Sequence, residues 1–417
     1  MKKIIAILIL SVNMLNVFSQ KIVKTDTSST SLLRVNPESA IGANASDIFD
    51  AINYIPLETN KESTFGDINQ LEVVEKYFII LDHNTNSIYI FTKEGKFHAK
   101  IKGGSQIPIY SFSVNRIKSL IVFSSDNFTT TIYCNFDGIL VEKVKNIDFS
   151  QKALFNLNFF YLGSDQIVSY DQYRDFDKNS KYYMAFSRSL LRFINAKGDV
   201  DAMGMIYSDS ESKIDVLNTG DLRQLTRSGK DDQLFFSKPY EYGVYVVSSN
   251  SIKQSFQIIL PSKFSLPNDF ISNRKYDTKR AEFVQRNSKV IYGLSNIYRI
   301  SDNLIFKTNS FATSKLNNLI YGLHTGTLIA FKHIMPDPKS YFLPLYDDKS
   351  GNFENVGLAF CDGINLYSSI SSLSMFKSKE ENKKLNTNYS SDLQAYFSKE
   401  SNKSNPVILE LKLKSNL

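Results

Sequence analysis

The chain has 417 residues, a formal charge of +7, 42% hydrophobic and 22% charged residues, with 23 Tyr, 31 Phe and no Trp. These proportions exclude a disordered or collagen-like chain. The basic residues alternate with acidic ones, as where Glu380–Glu381 precede Lys383–Lys384, and this excludes the clustered basic stripe of a nucleic-acid groove.

Residues 1–19 read as a secretory signal peptide. Lys2 and Lys3 form the positive start, Ile4 to Leu10 the apolar stretch, and Val17 and Ser19 the small residues before cleavage. Cleavage after Ser19 leaves Gln20 as the new N-terminus, with no cysteine nearby for a lipid anchor. The apolar stretch is too short to span a bilayer, and no later segment reaches about 20 continuous apolar residues. Residues 20–46 are expected to be a flexible N-terminal segment, and 47–417 a single domain.

Within that domain one phrase recurs six times: a short apolar strand, a tight polar turn and a second apolar strand. The copies are Ile68–Asp82, Ile109–Asp126, Phe155–Asp171, Gly220–Lys238, Tyr292–Thr308 and Glu354–Ser371. Aromatic and β-branched residues suit pleated, half-buried strands. Each copy is predicted to be the inner hairpin (strands a and b) of one blade of an all-β, six-bladed β-propeller with four-stranded antiparallel blades. The outer strands c and d follow the first five copies. In blade 1 they are Ser87–Thr92 and Phe97–Ile101, and in blade 2 Thr130–Asn135 and Leu140–Val144. In blade 3 they are Leu190–Asn195 and Asp201–Tyr207, in blade 4 Gly243–Ser248 and Gln254–Leu260, and in blade 5 Asn318–Leu323 and Thr327–His333. Gly95, Gly138, Gly198 and Gly326 fall in four of these c–d turns, where positive φ is needed.

The sixth copy is followed by a long polar stretch and then by Pro406–Lys414, with Val407, Leu409, Leu411 and Leu413 on one face. No further strand remains after it. A spare strand at Asn53–Thr59 precedes blade 1, so Tyr54–Leu57 is expected to complete blade 6 beside Pro406–Lys414 and close the ring. That pairing removes two open sheet edges. Cys134 and Cys361 map to blades 2 and 6, which are not neighbours, so both are expected to be isolated thiols.

Three stretches carry a resemblance. They are Asp47–Thr59, Phe65–Val73 running on through Tyr77–Asp82, and Asn405–Leu413. Together they resemble the opening strand, first blade and closing strand of an uncharacterised six-bladed β-propeller family of exported Gram-negative bacterial proteins, similar in architecture to NHL-type propellers. The resemblance covers roughly residues 47–414 and implies the fold and export, and it brings no established catalytic residues to carry over. Many members carry a lipoprotein cysteine that this chain lacks.

In such a meander the a–b and c–d turns share one face and the b–c loops and d–a linkers the other. The a–b and c–d turns here are short. The long segments Asp171–Ser189, Pro261–Ile291, Met335–Phe353, Ser372–Asn405 and 208–219 all fall on the second face, where loops on a rigid scaffold commonly bind ligands. Tyr170, Asp171, Tyr173 and Arg174, with Tyr240 and Tyr242 of the next blade, are the candidate ligand contacts, since Tyr and Arg offer large contact area with polar handles. The starts of the six a strands, expected to line the axial channel, read Asn69, Ser111, Asn156, Asp221, Ser295 and Asn355. Asp269–Gln285, with Arg274, Lys275, Lys279, Arg280 and Arg286 around it, reads as a short helix with a solvated face, a place for a phosphate or acidic polymer.

Catalytic and cofactor patterns are missing from the sequence. Asp82–Asn86 alternates oxygen ligands but lacks the Gly and distant Glu of a calcium loop, and Asp and Asn suit a plain turn there. His83, His98, His324 and His333 are dispersed without zinc spacing. GxSxG and phosphate-loop motifs do not occur. The sequence therefore predicts an exported, monomeric, non-catalytic binding or scaffold protein without a cofactor, recognising a peptide, protein or glycan through the long-loop face. The competing reading is a propeller hydrolase or lyase with its site at the channel mouth.

Overall fold

The computed structural model describes residues 21–417 except 105–107, 126–129, 146–158, 174–187, 216–222, 250, 313–315, 350–352 and 416. The signal peptide, Arg174, Asn156 and Asp221 lie outside the described residues.

Six sheets form a six-bladed β-propeller. Strands a to d are Gln70–Val73, Tyr77–Asp82, Ser87–Thr92 and Phe97–Lys102 in blade 1. In blade 2 they are Phe112–Asn115, Leu120–Ser125, Thr130–Asn135 and Leu140–Lys145. In blade 3 they are Phe159–Leu162, Gln166–Tyr170, Ser189–Ile194 and Val200–Ile206. Blade 4 uses Leu225–Arg227, Gln233–Phe236, Gly243–Ser248 and Ser251–Ile259. Blade 5 uses Gly293–Ile300, Asn303–Asn309, Asn318–Gly322 and Leu328–Met335. The four predicted turn glycines all have positive φ, from +72° at Gly326 to +85° at Gly198.

The near-continuous apolar strands follow from burial on both faces. In strand b of blade 1, Phe78 and Ile80 pack toward blade 6, while Ile79 and Leu81 pack toward blade 2. Successive side chains point to opposite faces of a strand, so an inner blade strand needs apolar residues at every position. Among the described residues the core divides into six clusters, one between each pair of neighbouring blades.

Blade 6 is completed as predicted. Its strands a and b are Phe360–Cys361 and Asn365–Ile370. Its third strand, Val407–Leu413, pairs antiparallel with Phe49–Pro56, with Glu410 opposite Asn53. Val407, Leu409, Leu411 and Leu413 face blade 5, and Ile408 faces blade 1. The inner hairpin differs from prediction at its start. Residues Phe353–Val356 form a helical turn and the strand begins only at Phe360. Asn355 is therefore on that turn and not at the head of an inner strand.

The segment 20–46, expected to be flexible, is a belt from Lys21 onward. Four short strands, β1 (Lys21–Val23), β2 (Thr25–Asp26), β3 (Ser31–Arg34) and β4 (Ile41–Asn44), run round the outside of the ring. β1 pairs parallel with strand d of blade 3, β2 and β3 with that of blade 4, and β4 with that of blade 5. The chain then enters blade 6 as β5 (Phe49–Pro56). Val23, Leu33 and Val35 are buried, while Ile22, Leu32 and Ile41 are exposed. This alternation, KIV and SLLR, is too short to stand out in the sequence, and parallel pairing leaves no turn signal.

The long insertions are also ordered where described. Residues 372–405 form two helices, Ser372–Glu381 and Ser391–Lys399, whose Met375, Leu393, Tyr396 and Phe397 join the core between blades 5 and 6. In the 261–291 linker the expected solvated helix spans only Arg280–Arg286. Arg280 is buried, donating to the Phe270 and Ile271 carbonyls at 3.0 and 2.9 Å and pairing with Asp277 at 3.1 Å. It is a packing residue and not part of a free cationic face.

Candidate functional site in the axial channel

The inner strands converge on a cavity of about 410 Å³. Its wall includes Asn69, Gln70 and Glu72 of blade 1, Ser111 of blade 2, Phe160 of blade 3, Arg223 and Arg227 of blade 4, and Phe360 of blade 6. Asp67, His83, Tyr110, Asp348 and Lys349 also line it. These come from the starts of a strands, a b–c turn and a d–a linker, so the cavity opens toward the face with the long loops.

The opposite end is closed. Arg227 donates from Nε to Glu72 Oε2 at 3.0 Å and from Nη2 to the Val114 carbonyl at 2.8 Å. Both side chains are about 5% exposed, so the pair forms a buried floor joining blades 4, 1 and 2. Just beyond it Arg116 donates to the Val73 carbonyl at 2.8 Å and stands 3.9 Å from Glu72. Burial, and then the like charge of Arg227, pull the Arg116 pKa down. The a–b turns complete the seal. The Gly163 amide of blade 3 donates to the Asp231 carbonyl of blade 4 at 3.0 Å, and Gly229 of blade 4 meets Gly363 of blade 6 across the axis.

Arg223 spans the wall in the same manner. Its Nη1 donates to the Ala359 carbonyl at 2.6 Å and its Nη2 to the Asn69 carbonyl at 3.0 Å, linking blade 4 to blades 6 and 1. It has no carboxylate within ion-pair distance among the described residues. The remaining carboxylates are occupied. Asp67 accepts from Asn84 Nδ2 at 2.9 Å, and Asp348 pairs with the buried Lys332, which also pairs with Glu354. Asn69 Oδ1 accepts from the His83 amide at 2.7 Å, and the His83 ring bonds the Tyr110 carbonyl at 3.0 Å. Gln70 brackets the backbone of Phe112 with two hydrogen bonds, at 2.7 and 3.1 Å. Asn69, Gln70, His83, Asp67 and Asp348 at the mouth are thus each held by hydrogen bonds or an ion pair.

Of the predicted channel residues, Asn69 and Ser111 line the cavity. Ser295 is fully buried behind it and bonds Asn309 Oδ1 at 3.3 Å. A bulge between Ser295 and Tyr298, with Asn296 at φ +49°, turns the strand so that Tyr298 reaches the wall. The predicted ligand contacts are placed differently. Tyr170, Tyr173 and Tyr240 are 1–6% exposed in the core shared by blades 3 and 4. Tyr242 packs beside them, its hydroxyl donating to the Ile291 carbonyl and accepting from the Leu266 amide. Asp171 is buried and pairs with Arg192 at 3.2 Å. Aromatic loop residues are as good for packing as for binding, and their sequence carries no distinction.

Asp82 is likewise a turn residue: it is buried and accepts from the Thr85 amide and hydroxyl at 3.0 and 2.6 Å. Among the described residues no three His, Cys, Asp or Glu side chains gather as a metal site would require. Cys134 and Cys361 are free and buried, and burial pushes the Cys361 thiol up to about 12. Sequence reasoning missed Arg223, Arg227 and Glu72. The available signal was a charged residue within each of two inner strands, Glu72 in Gln70–Val73 and Arg227 in Leu225–Arg227.

Fold and site together define the class: a six-bladed β-propeller with a blind axial pocket. Within that class the chain belongs to the family described as Domain of unknown function (DUF4934), whose pattern matches residues 32–412. Among solved structures it is similar to a Bacteroides fragilis NCTC 9343 protein inferred to be exported. The two are 14% identical, with a TM-score of 0.65 over 92% of this chain and 100% of that one. A Bacteroides vulgatus member of the duf4221 family is 11% identical, with a TM-score of 0.45 over 88% of this chain and 98% of its own. No curated protein matches the chain. No helix among the described residues is long and apolar enough to cross a membrane.

Proposed function

We propose that this chain is an exported, non-catalytic binding protein that engages a peptide, protein or glycan at the channel mouth on its long-loop face. The observation that supports this most is the blind cavity of about 410 Å³, open on the face where the insertions gather. Pockets of this order, with an apolar part and a few convergent polar groups, are the usual places for ligands. Export rests on the leader-like residues 1–19 and agrees with the Bacteroides fragilis relative. The blind end favours a ligand that enters from one side and leaves by the same route.

Peptide and glycan arrays probed with the mature protein test this reading. A parallel probe with Ser111→Trp, which fills the mouth without touching the floor, identifies signals that belong to the cavity. Array signals lost in Ser111→Trp, with its melting curve unchanged, support the proposal. An array without signals, or one identical for both proteins, refutes it.

A further inference from the structure

One cation of the cavity wall has no counter-ion among the described residues, and it points to the ligand. Among the described residues three cations and three carboxylates line the cavity: Arg223, Arg227 and Lys349, against Asp67, Glu72 and Asp348. Glu72 is matched by Arg227 in the floor, and Asp348 is drawn to Lys332 behind the wall. Asp67 faces the Asn84 amide. Arg223 is left in the wall with two carbonyl acceptors and no counter-ion among the described residues, and Lys349 stands exposed at the rim. Carbonyl acceptors hold a guanidinium in place but do not neutralise it. Arg has five N–H donors in a planar fork, and two bonds to carbonyls leave donors for a further acceptor. Because neighbouring blades already fix the side chain, little rotamer entropy is lost when a ligand binds it.

We infer that the cavity takes the free C-terminal carboxylate of a peptide, with Arg223 as its anchor. This rests on the channel-mouth reading above. One unpaired cation in the described wall matches a monoanion, whereas a doubly charged phosphate would need a second unpaired cation of similar depth. The planar carboxylate also fits the guanidinium fork. A chain end is favoured over a chain interior because the floor blocks passage. The neighbouring wall decides between a peptide and an acidic sugar. Arg223 is fastened to the carbonyls of Ala359 and Asn69, and the partly exposed Ala359, Val356 and Phe160 line the same cavity. An apolar C-terminal side chain covers such a surface, while a hydroxylated ring leaves its polar groups without partners there.

The test is calorimetric titration of the mature protein with acetyl-Ala-Phe bearing a free carboxylate, with its C-terminal amide and with glucuronic acid. The acid is expected to bind at least about tenfold more tightly than the amide, a difference of about 1.4 kcal/mol. Arg223→Gln is expected to remove that preference and Arg223→Lys to retain part of it. Equal binding of acid and amide to the unmodified protein overturns the inference, independently of how any variant folds. So does a preference that survives in Arg223→Gln, or binding of glucuronic acid alone. If neither peptide binds while array signals are still lost in Ser111→Trp, this inference fails and the channel-mouth reading stands. Array signals indifferent to Ser111→Trp bring down both.

Discussion

Gly229 and Gly363 face each other across the propeller axis although their blades, 4 and 6, are not neighbours in the ring. A Cβ added to Gly229 would lie 2.3 Å from the Gly363 Cα and 2.6 Å from its amide nitrogen. Both residues have strongly positive φ, +86° and +90°. Two a–b turns can touch at the axis only because neither carries a side chain, and this contact closes the channel below the Glu72–Arg227 floor.

Gly229→Ala is therefore expected to destabilise the protein by at least about 2 kcal/mol, combining the left-handed backbone cost with the clash against a backbone atom. Gly363→Ala should cost less, since its added Cβ would meet the Gly229 Cα at 3.0 Å. Urea midpoints of the two variants check the order. Equal and negligible shifts would mean that the turns do not meet.

Removing one partner of the floor pair leaves a buried charge uncompensated. Glu72→Leu is expected to cost about 3–5 kcal/mol. Combining it with Arg227→Met should recover much of that loss, because two apolar side chains need no counter-charge. A double-mutant cycle on chemical unfolding measures the coupling. Additive losses would show that the two residues do not depend on each other.

Deleting residues 21–40 strips β1 to β3 from blades 3 and 4. Their outer strands would then present unpaired backbone groups, a template for pairing with other chains. The truncated protein is expected to aggregate at concentrations where the full mature chain stays dispersed, with a lower melting temperature from the loss of buried Val23, Leu33 and Val35. Light scattering during a thermal ramp distinguishes the two. A truncated chain that melts and scatters like the full one would show that the belt is dispensable.

Asp337 ties the entry to β5 to the turn at Pro338–Ser340. Its carboxylate accepts from the Ser46 amide at 2.8 Å and the Lys339 amide at 2.9 Å. Burial raises its pKa, but hydrogen bonds from Ser46, Lys339 and Ser340 outweigh that and hold it below the ordinary value of 3.8. A depressed carboxylate pKa stabilises the folded state above the unfolded value, and that contribution is lost as pH falls through the folded one. The melting-temperature gap between the wild type and Asp337→Asn should be wide at pH 7 and should narrow progressively as the pH falls below the ordinary carboxylate value. A gap independent of pH would remove Asp337 from this role.

Inner strands, turn glycines and ring closure were legible in the sequence because each has a local cause. A strand buried on both faces must be apolar throughout, as in Tyr77–Leu81, and a tight c–d turn must supply positive φ, as at Gly95. The closing strand was legible by elimination, since Pro406–Lys414 lacked a partner and Asn53–Thr59 lacked a blade. The site was less legible. Asn69 and Ser111 line the candidate cavity from the heads of inner strands. Ser295 was displaced by a bulge and Asn355 by a helical turn, and neither irregularity leaves a mark in the alternation of residues.

The sequence by itself determined the number of blades, the phase of their strands and the means of closing the ring, because these follow from periodicity and turn chemistry within some 20 residues. Only the tertiary structure decided where charge and space coincide. Glu72, Arg223 and Arg227 are ordinary residues until strands far apart in the chain bring them around one axis. The belt, the glycine contact and the blind pocket likewise depend on pairings between distant segments, whose energy comes from contacts that no local pattern encodes.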